Sequence, residues 1–127
     1  MVRRAVIPIA GLGTRLRPVS AVVPKAMLPL VDPEGRIRTV LHAICAEAQA
    51  AGAEEVGIAV SPGQREVCEA YFAAAREAGA VDLPGRIEYI AQDEPAGFGD
   101  AVARAAGFVG DADRFLVMLG DHVHRAE

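Results

Sequence analysis

Residues 4–10 open the chain with an unbroken apolar run, Ala5-Val6-Ile7-Pro8-Ile9-Ala10, closed by Gly11. A short run of this kind ended by glycine predicts a buried strand. The periodicity then lapses. Residues 11–38 hold Pro18, Pro24, Pro29 and Pro33 and no long repeat, which predicts an extended loop with a short strand at 27–31. Loops this long in a compact domain usually bind something.

From Thr39 the pattern becomes helical. Val40, Leu41, Ile44, Cys45 and Ala48 share one face, Thr39 is placed to cap the start and Gly52 to end it. A strand is predicted over 55–60, broken by Ser61-Pro62-Gly63. A second helix over 64–78 carries Val67, Tyr71, Ala75 and Ala78 on one face and stops at Gly79. A third strand follows at 86–91. The segment 92–100 leads into a helix in which Ala101, Val102, Ala105, Ala106 and Val109 form one stripe, and a last strand, 115–119, runs into Gly120-Asp121. Alternating strands and helices predict βαβ units: an α/β fold with a mainly parallel sheet covered on both faces.

Composition sharpens this picture. The 127 residues suit one domain with a sizeable core. The apolar share is 52% with 5% aromatic residues and no Trp, so close packing of helices on the sheet is expected rather than a large aromatic core. A net charge of −4 offers no basic field for a nucleic-acid polymer. Positive charge is instead local, at Arg3, Arg4, Arg15, Arg17 and Lys25, and Lys25 is the sole lysine among 13 basic residues. Cys45 and Cys68 fall in predicted helices without CxxC spacing, which favours buried free thiols. The first apolar run is too short for a signal peptide or a membrane span, so a cytoplasmic protein without a membrane partner is expected.

In an open parallel sheet, ligands collect beyond the carboxyl ends of the strands. Three unusual segments each follow a predicted strand: the loop from Gly11, the loop from Gln92, and Asp121. Gly11 and Gly13 let the backbone approach a ligand closely, while Thr14 adds a hydroxyl donor and Arg15 a guanidinium fork suited to phosphate oxygens. The spacing is neither GxGxxG, because position 16 is Leu, nor the GxxxxGK[ST] loop. Asp121 ends an apolar strand, where Mg²⁺ with a polyphosphate is a natural partner for a carboxylate and a Gly-Asp turn is the plain alternative. His122 and His124 lack a third protein ligand at plausible spacing for zinc. Gln92 offers an amide that both donates and accepts, complementary to the imide edge of uracil or thymine. Gly97 and Gly99 leave room for a flat base, and Asp100 is placed to cap the following helix.

Four stretches then point to a family. "AGLGTRLRP" (10–18), "PKAMLPLVD" (24–32), "QDEPAGFGDAV" (92–102) and "FLVMLGD" (115–121) resemble, in order and spacing, the sugar-1-phosphate nucleotidyltransferases, most of all their uridylyltransferase branch. The resemblance implies a three-layer, Rossmann-like fold and a Mg²⁺-dependent condensation of UTP with glucose 1-phosphate to UDP-glucose and pyrophosphate. It implies that Ala10, Gly11, Gly13 and Thr14 hold the triphosphate, with Arg15 on the leaving pyrophosphate. Lys25 would bridge phosphates at the reacting centre, Gln92 and Gly97 would read the pyrimidine, and Asp121 would bind Mg²⁺. Where the family has Val-Asp-Lys-Pro, this chain reads Val31-Asp32-Pro33-Glu34-Gly35-Arg36. The family also continues past its Gly-Asp element, so residues 1–127 are expected to be the nucleotide-binding half, truncated at the C-terminus, with the sugar-binding half absent. A homo-oligomer or a complementing C-terminal half is the corresponding expectation for partners. The residues leave open dTTP in place of UTP, and a non-catalytic nucleotide-binding or regulatory module in place of an enzyme.

Overall fold

The first apolar run forms strand β1, Arg4–Pro8, at the centre of a parallel sheet. A computed structural model describes residues 3–9, 18, 25–92, 98–110 and 115–118. After β1 come a single 3-10 turn, Lys25–Met27, a hairpin of β2 (Pro29–Val31) and β3 (Ile37–Thr39), and helix α1 (Val40–Ala50). Then follow β4 (Glu55–Val60), α2 (Gln64–Glu77), β5 (Arg86–Ala91), α3 (Phe98–Arg104), α4 (Ala106–Val109) and β6 (Leu116–Val117). The main sheet runs in the order β5-β4-β1-β6 and every pairing in it is parallel.

Strand alternation divides the core into two layers. Ala5, Ile7 and Ile9 of the first strand and Val56, Ile58 and Val60 of β4 join Leu41, Ile44, Cys45, Ala48, Cys68 and Phe72 from α1 and α2 in one buried cluster. Val6 belongs instead to a smaller cluster with Ala105, Val109, Phe108, Ile90 and Phe115 on the α3–α4 side. The result is the three-layer α/β arrangement with helices on both faces. Gly57 makes the second interface possible, because a Cβ there would lie 2.8 Å from Ile90 Cδ1 and 2.9 Å from Phe108 Cδ2.

The helix boundaries follow their sequence signals. Thr39 accepts a hydrogen bond from the His42 amide at 3.1 Å and so caps α1. Gly52, at φ +103°, closes it in a Schellman motif, with Gly52 N–H donating to Gln49 O and Ala53 N–H to Ala48 O. Gly79 repeats the motif at the end of α2, with bonds to Arg76 O and from Ala80 to Ala75 O. Both cysteines are free and buried, and burial pushes the Cys45 thiol up to about 12 and the Cys68 thiol to about 11.

Several local expectations are corrected. The long loop contains the β2–β3 hairpin, whose tight end is built by Asp32: its side chain accepts from the Glu34 and Arg36 amides, and Gly35 takes φ +82°. The buried face of α2 is Cys68 and Phe72 with Tyr71 and Ala75 beside them, while Val67 and Ala78 are exposed. The helix after residue 100 breaks at Ala105, whose amide is shared between Ala101 O and Val102 O, so the buried stripe is Ala101, Ala105 and Val109 and Ala106 faces out. Of the early basic residues, Arg3 and Arg4 lie at the amino edge of the sheet. Arg3 pairs with Glu54, and Arg4 bonds Glu55 at 2.9 Å and the Val109 carbonyl at the end of α4. Among the described residues no helix is long and apolar enough to cross a membrane.

Candidate functional site

Because all four strands of the main sheet are parallel, their carboxyl ends form one edge. Ile9 N–H donates to Ala59 O at 2.9 Å and Gln92 N–H to Val60 O at 2.8 Å, carrying the pairing one residue past β1 and β5. The chain order adds a second constraint. From β1 it proceeds outward on one side through β4 and β5, then crosses to β6 on the other side. The reversal lies between β1 and β6, and a crevice at such a switch point is where open α/β sheets bind ligands. The run 10–18 starts directly after Ile9, and Asp121 lies three residues after Met118, which pairs with Val6 O.

Two predicted site residues are described. Lys25 opens the 3-10 turn, partly exposed, with Ala26 and Met27 buried in the same cluster as Ile9 and Val60. The turn is tied to the next helix through Leu28, whose carbonyl accepts from the Val40 amide at 3.0 Å. Gln92 follows β5 and is only 2% exposed. A ligand edge meeting its amide would do so away from bulk water, where a hydrogen bond discriminates most strongly. Ala10, Gly11, Gly13, Thr14, Arg15, Gly97 and Asp121 lie outside the described residues, as do His122 and His124.

Two further residues belong to this edge. Gln64, in the first turn of α2, donates through Nε2 to Ile9 O at 3.1 Å and accepts from the Ser61 amide at 2.8 Å. It thereby fixes the last described residue before the glycine-rich run. Asp100 is not a cap. It sits within the first turn of α3, where its Oδ2 accepts from Gln92 Nε2 at 2.9 Å and from Arg104 Nε at 2.8 Å. Those bonds, that of Arg104 foremost, hold its carboxyl below the usual carboxylate range. No sequence signal marked Gln64, because its partner Ile9 lies 55 residues away along the chain.

A separate polar network fastens the hairpin to α1 and to the connection before β5. Arg38 is buried and pairs with Asp82 through both Nη atoms, with Asp32 3.5 Å from its Nε. His42 Nε2 lies 3.1 Å from Asp82 Oδ1 and its Nδ1 lies 2.6 Å from the Tyr71 hydroxyl. The Thr39 amide donates to that same hydroxyl at 3.3 Å. The chemistry assigns a neutral imidazole that donates to Asp82 and accepts from Tyr71. No buried side-chain nitrogen or oxygen among the described residues lacks a partner, so the network is a satisfied structural element.

The sequence profile of the family described as nucleotidyl transferase matches residues 4–127. The chain belongs to this family. As a nucleotidyl transferase chain it is 37% identical over 142 residues to a UTP–glucose-1-phosphate uridylyltransferase of Bacillus subtilis, a match covering 99% of this chain and 46% of the relative. It is 37% identical over 135 residues to the enzyme of the same name from Streptococcus pneumoniae, covering 94% of this chain and 43% of the relative. Among solved structures, it is similar to a UTP-bound UGPase from Acinetobacter baumannii, with TM-score 0.75, 29% identity, and 95% and 46% of the two chains covered. A UDP-glucose pyrophosphorylase complexed with UDP-glucose matches with TM-score 0.77 and 28% identity, again over 95% and 46%. The nucleotidyl transferase chain thus spans less than half the length of the relatives it matches.

Proposed function

We propose that this chain supplies the nucleotide-binding half of an enzyme that condenses UTP with glucose 1-phosphate to UDP-glucose and pyrophosphate. The observation that carries the reading is the switch point between β1 and β6, with a glycine- and arginine-rich run starting after the first strand and Asp121 following the last. Curated relatives matched over nearly the whole of this chain bear the name of that activity.

No covalent enzyme intermediate is needed when a sugar phosphate oxygen attacks the α-phosphorus and pyrophosphate leaves. The protein's task is positioning and charge neutralisation. Ala10, Gly11, Gly13 and Thr14 would hold the triphosphate through backbone and hydroxyl donors, and Arg15 would take the leaving pyrophosphate as a bidentate fork. Lys25, anchored by its buried neighbours Ala26 and Met27, would place one ammonium at the reacting phosphates. Gln92, with Gly97 nearby in sequence, would read the pyrimidine. Among the described residues no group of three or more His, Cys, Asp or Glu is placed to hold a metal. Mg²⁺ would rest on Asp121, on phosphate oxygens and on the further aspartate that the second half of the family supplies, and would contribute charge neutralisation when bound.

The test is calorimetric titration of the chain with UTP, dTTP and ATP in Mg²⁺, repeated with Lys25→Ala and Asp121→Ala. Saturable, pyrimidine-selective binding is expected, weakened by about tenfold or more in each variant as a charged contact is lost. A folded chain that binds ATP as tightly as UTP, or binds no nucleotide, would refute the reading.

A further inference from the structure

Where β1 and β4 part, a side chain replaces a backbone rung of their ladder. In a parallel pair, a residue whose N–H donates to the neighbouring strand accepts, at its own carbonyl, from the amide two residues further along that neighbour. Ile9 N–H donates to Ala59 O, so the next rung would run from the Ser61 amide to Ile9 O. The Gln64 side chain takes that place. The Ser61 amide donates to Gln64 Oε1 at 2.8 Å, and Gln64 Nε2 donates to Ile9 O at 3.1 Å. One side-chain amide thus relays the rung and holds the two strand ends apart by its own width. Local chemistry delivers it there. Ser61-Pro62-Gly63-Gln64 is a tight turn closed by Gln64 N–H on Ser61 O at 3.1 Å, and Gly63 has φ +88° and ψ −20°, the type II geometry that glycine adopts after proline. The sense of the amide is fixed from both ends, because a backbone N–H needs its oxygen and a backbone carbonyl needs its NH₂.

We propose that Gln64 is a positioning residue for the triphosphate, a wedge that keeps the end of β1 splayed from β4 and so sets the direction in which the chain enters the run 10–15. The inference rests on the nucleotide reading above. The Ile9 carbonyl belongs to the peptide bond that leads into Ala10. A peptide group is planar, so a carbonyl held at one angle fixes the plane from which the chain continues. Gln64 acts through the backbone of β1 and not on the ligand itself. Without the wedge, the Ser61 amide and the Ile9 carbonyl each lose a partner, and the direct rung between them closes the ladder. That closure satisfies both groups, so the fold survives while the run starts from a different direction. Base reading rests on Gln92 after β5, which lies across β4 from β1, and is left in place. The loss therefore falls on the phosphates, whose productive placement tolerates little displacement.

The test compares UTP with UMP by calorimetry on the full chain in Mg²⁺, for the wild type, Gln64→Ala and Gln64→Met, with urea denaturation of each. The ratio of the two affinities reads what the β- and γ-phosphates contribute and sets the base site aside. In Gln64→Ala the ratio is expected to fall by about tenfold, the order of loss when charged contacts are misplaced, with UMP affinity nearly unchanged and a urea midpoint close to that of the wild type. Methionine keeps the length and bulk of the side chain but neither hydrogen bond, so Gln64→Met should lower the ratio in the same direction. A purely structural Gln64 would lower the urea midpoint and leave the ratio alone. An unchanged ratio in the two variants overturns the proposal, as does equal weakening of UTP and UMP or a wild type that binds the two alike; these results leave nucleotide binding itself intact. A folded wild type that binds neither overturns the nucleotide reading and this inference with it.

Discussion

His42 is a buried polar side chain whose two ring nitrogens are spoken for, one by Asp82 and one by Tyr71. Burial, with Arg38 and Arg36 nearby, pulls its pKa below the ordinary 6.5 despite the attraction of Asp82. The unfolded chain then binds a proton that the folded chain refuses, so stability falls as pH drops through 6.5 toward the lowered folded value. Asp82 acts in a lower window. Its bond with Arg38, and then that with His42, holds its carboxyl below the usual carboxylate range, so its contribution is present above the unfolded value of 3.8 and lost as pH falls below it. Urea denaturation between pH 8 and pH 5 should show stability declining by at most about 1.4 kcal/mol per pH unit, the limit for a single proton. His42→Gln should flatten the part of the slope nearest pH 6. A slope unchanged by that substitution would place the titrating group elsewhere.

Among elements, the contact of β4 with α4 gives the sharpest case. A methyl added at Gly57 meets Ile90 and Phe108 at distances below 3.0 Å, on a strand that is otherwise buried and paired on both sides. Gly57→Ala should cost about 1–3 kcal/mol as overpacking, read as a lowered urea midpoint at unchanged slope. Full wild-type stability would show that Phe108 gives way freely. Much of the element order was legible in the sequence. The continuous apolar run of residues 4–10 announced a buried strand, and the strong helical periods with Thr39, Gly52 and Gly79 announced α1 and α2. β2 forms at Pro29–Val31, within the short strand expected at 27–31, whereas β3 was too short to show a period, and the hairpin depends on Asp32 accepting backbone amides, which no periodicity reports. In α2 an apolar Val67 stood beside a less obvious Cys68, and only packing on the sheet decided between them. Lys25 and Gln92 stood out as candidates because chemistry marks a lone lysine and a strand-end amide. Gln64 did not, and Asp100 stood out only as a helix cap, because their roles are made by partners brought close only by the fold.

At the scale of the whole molecule the two faces of the sheet are unequal. The α1–α2 side buries long helices against Ile7, Val56 and Ile58 of the sheet, whereas the other side rests on a short α3, a four-residue α4 and the small cluster around Val6, Ala105 and Val109. At the edge of the sheet, β6 pairs with β1 over two residues. Local opening free energy follows buried apolar contact, so these elements should open more readily than the β1–β4–α1 core. Hydrogen exchange of the ligand-free chain is expected to show the slowest amides in β1, β4 and α1, and faster exchange in α3, α4 and β6. That gradient bears on the proposed site, because Asp100 and Arg104 belong to the weaker side while Gln92 hangs from β5, paired with β4. A nucleotide held by Gln92 would couple the two sides, so saturating UTP should slow exchange in α3 by about tenfold or more, as ligand linkage requires of any opening that destroys the site. Slowing confined to β1, β4 and α1 would mean that α3 opens with the nucleotide still bound, and would separate that helix from nucleotide binding.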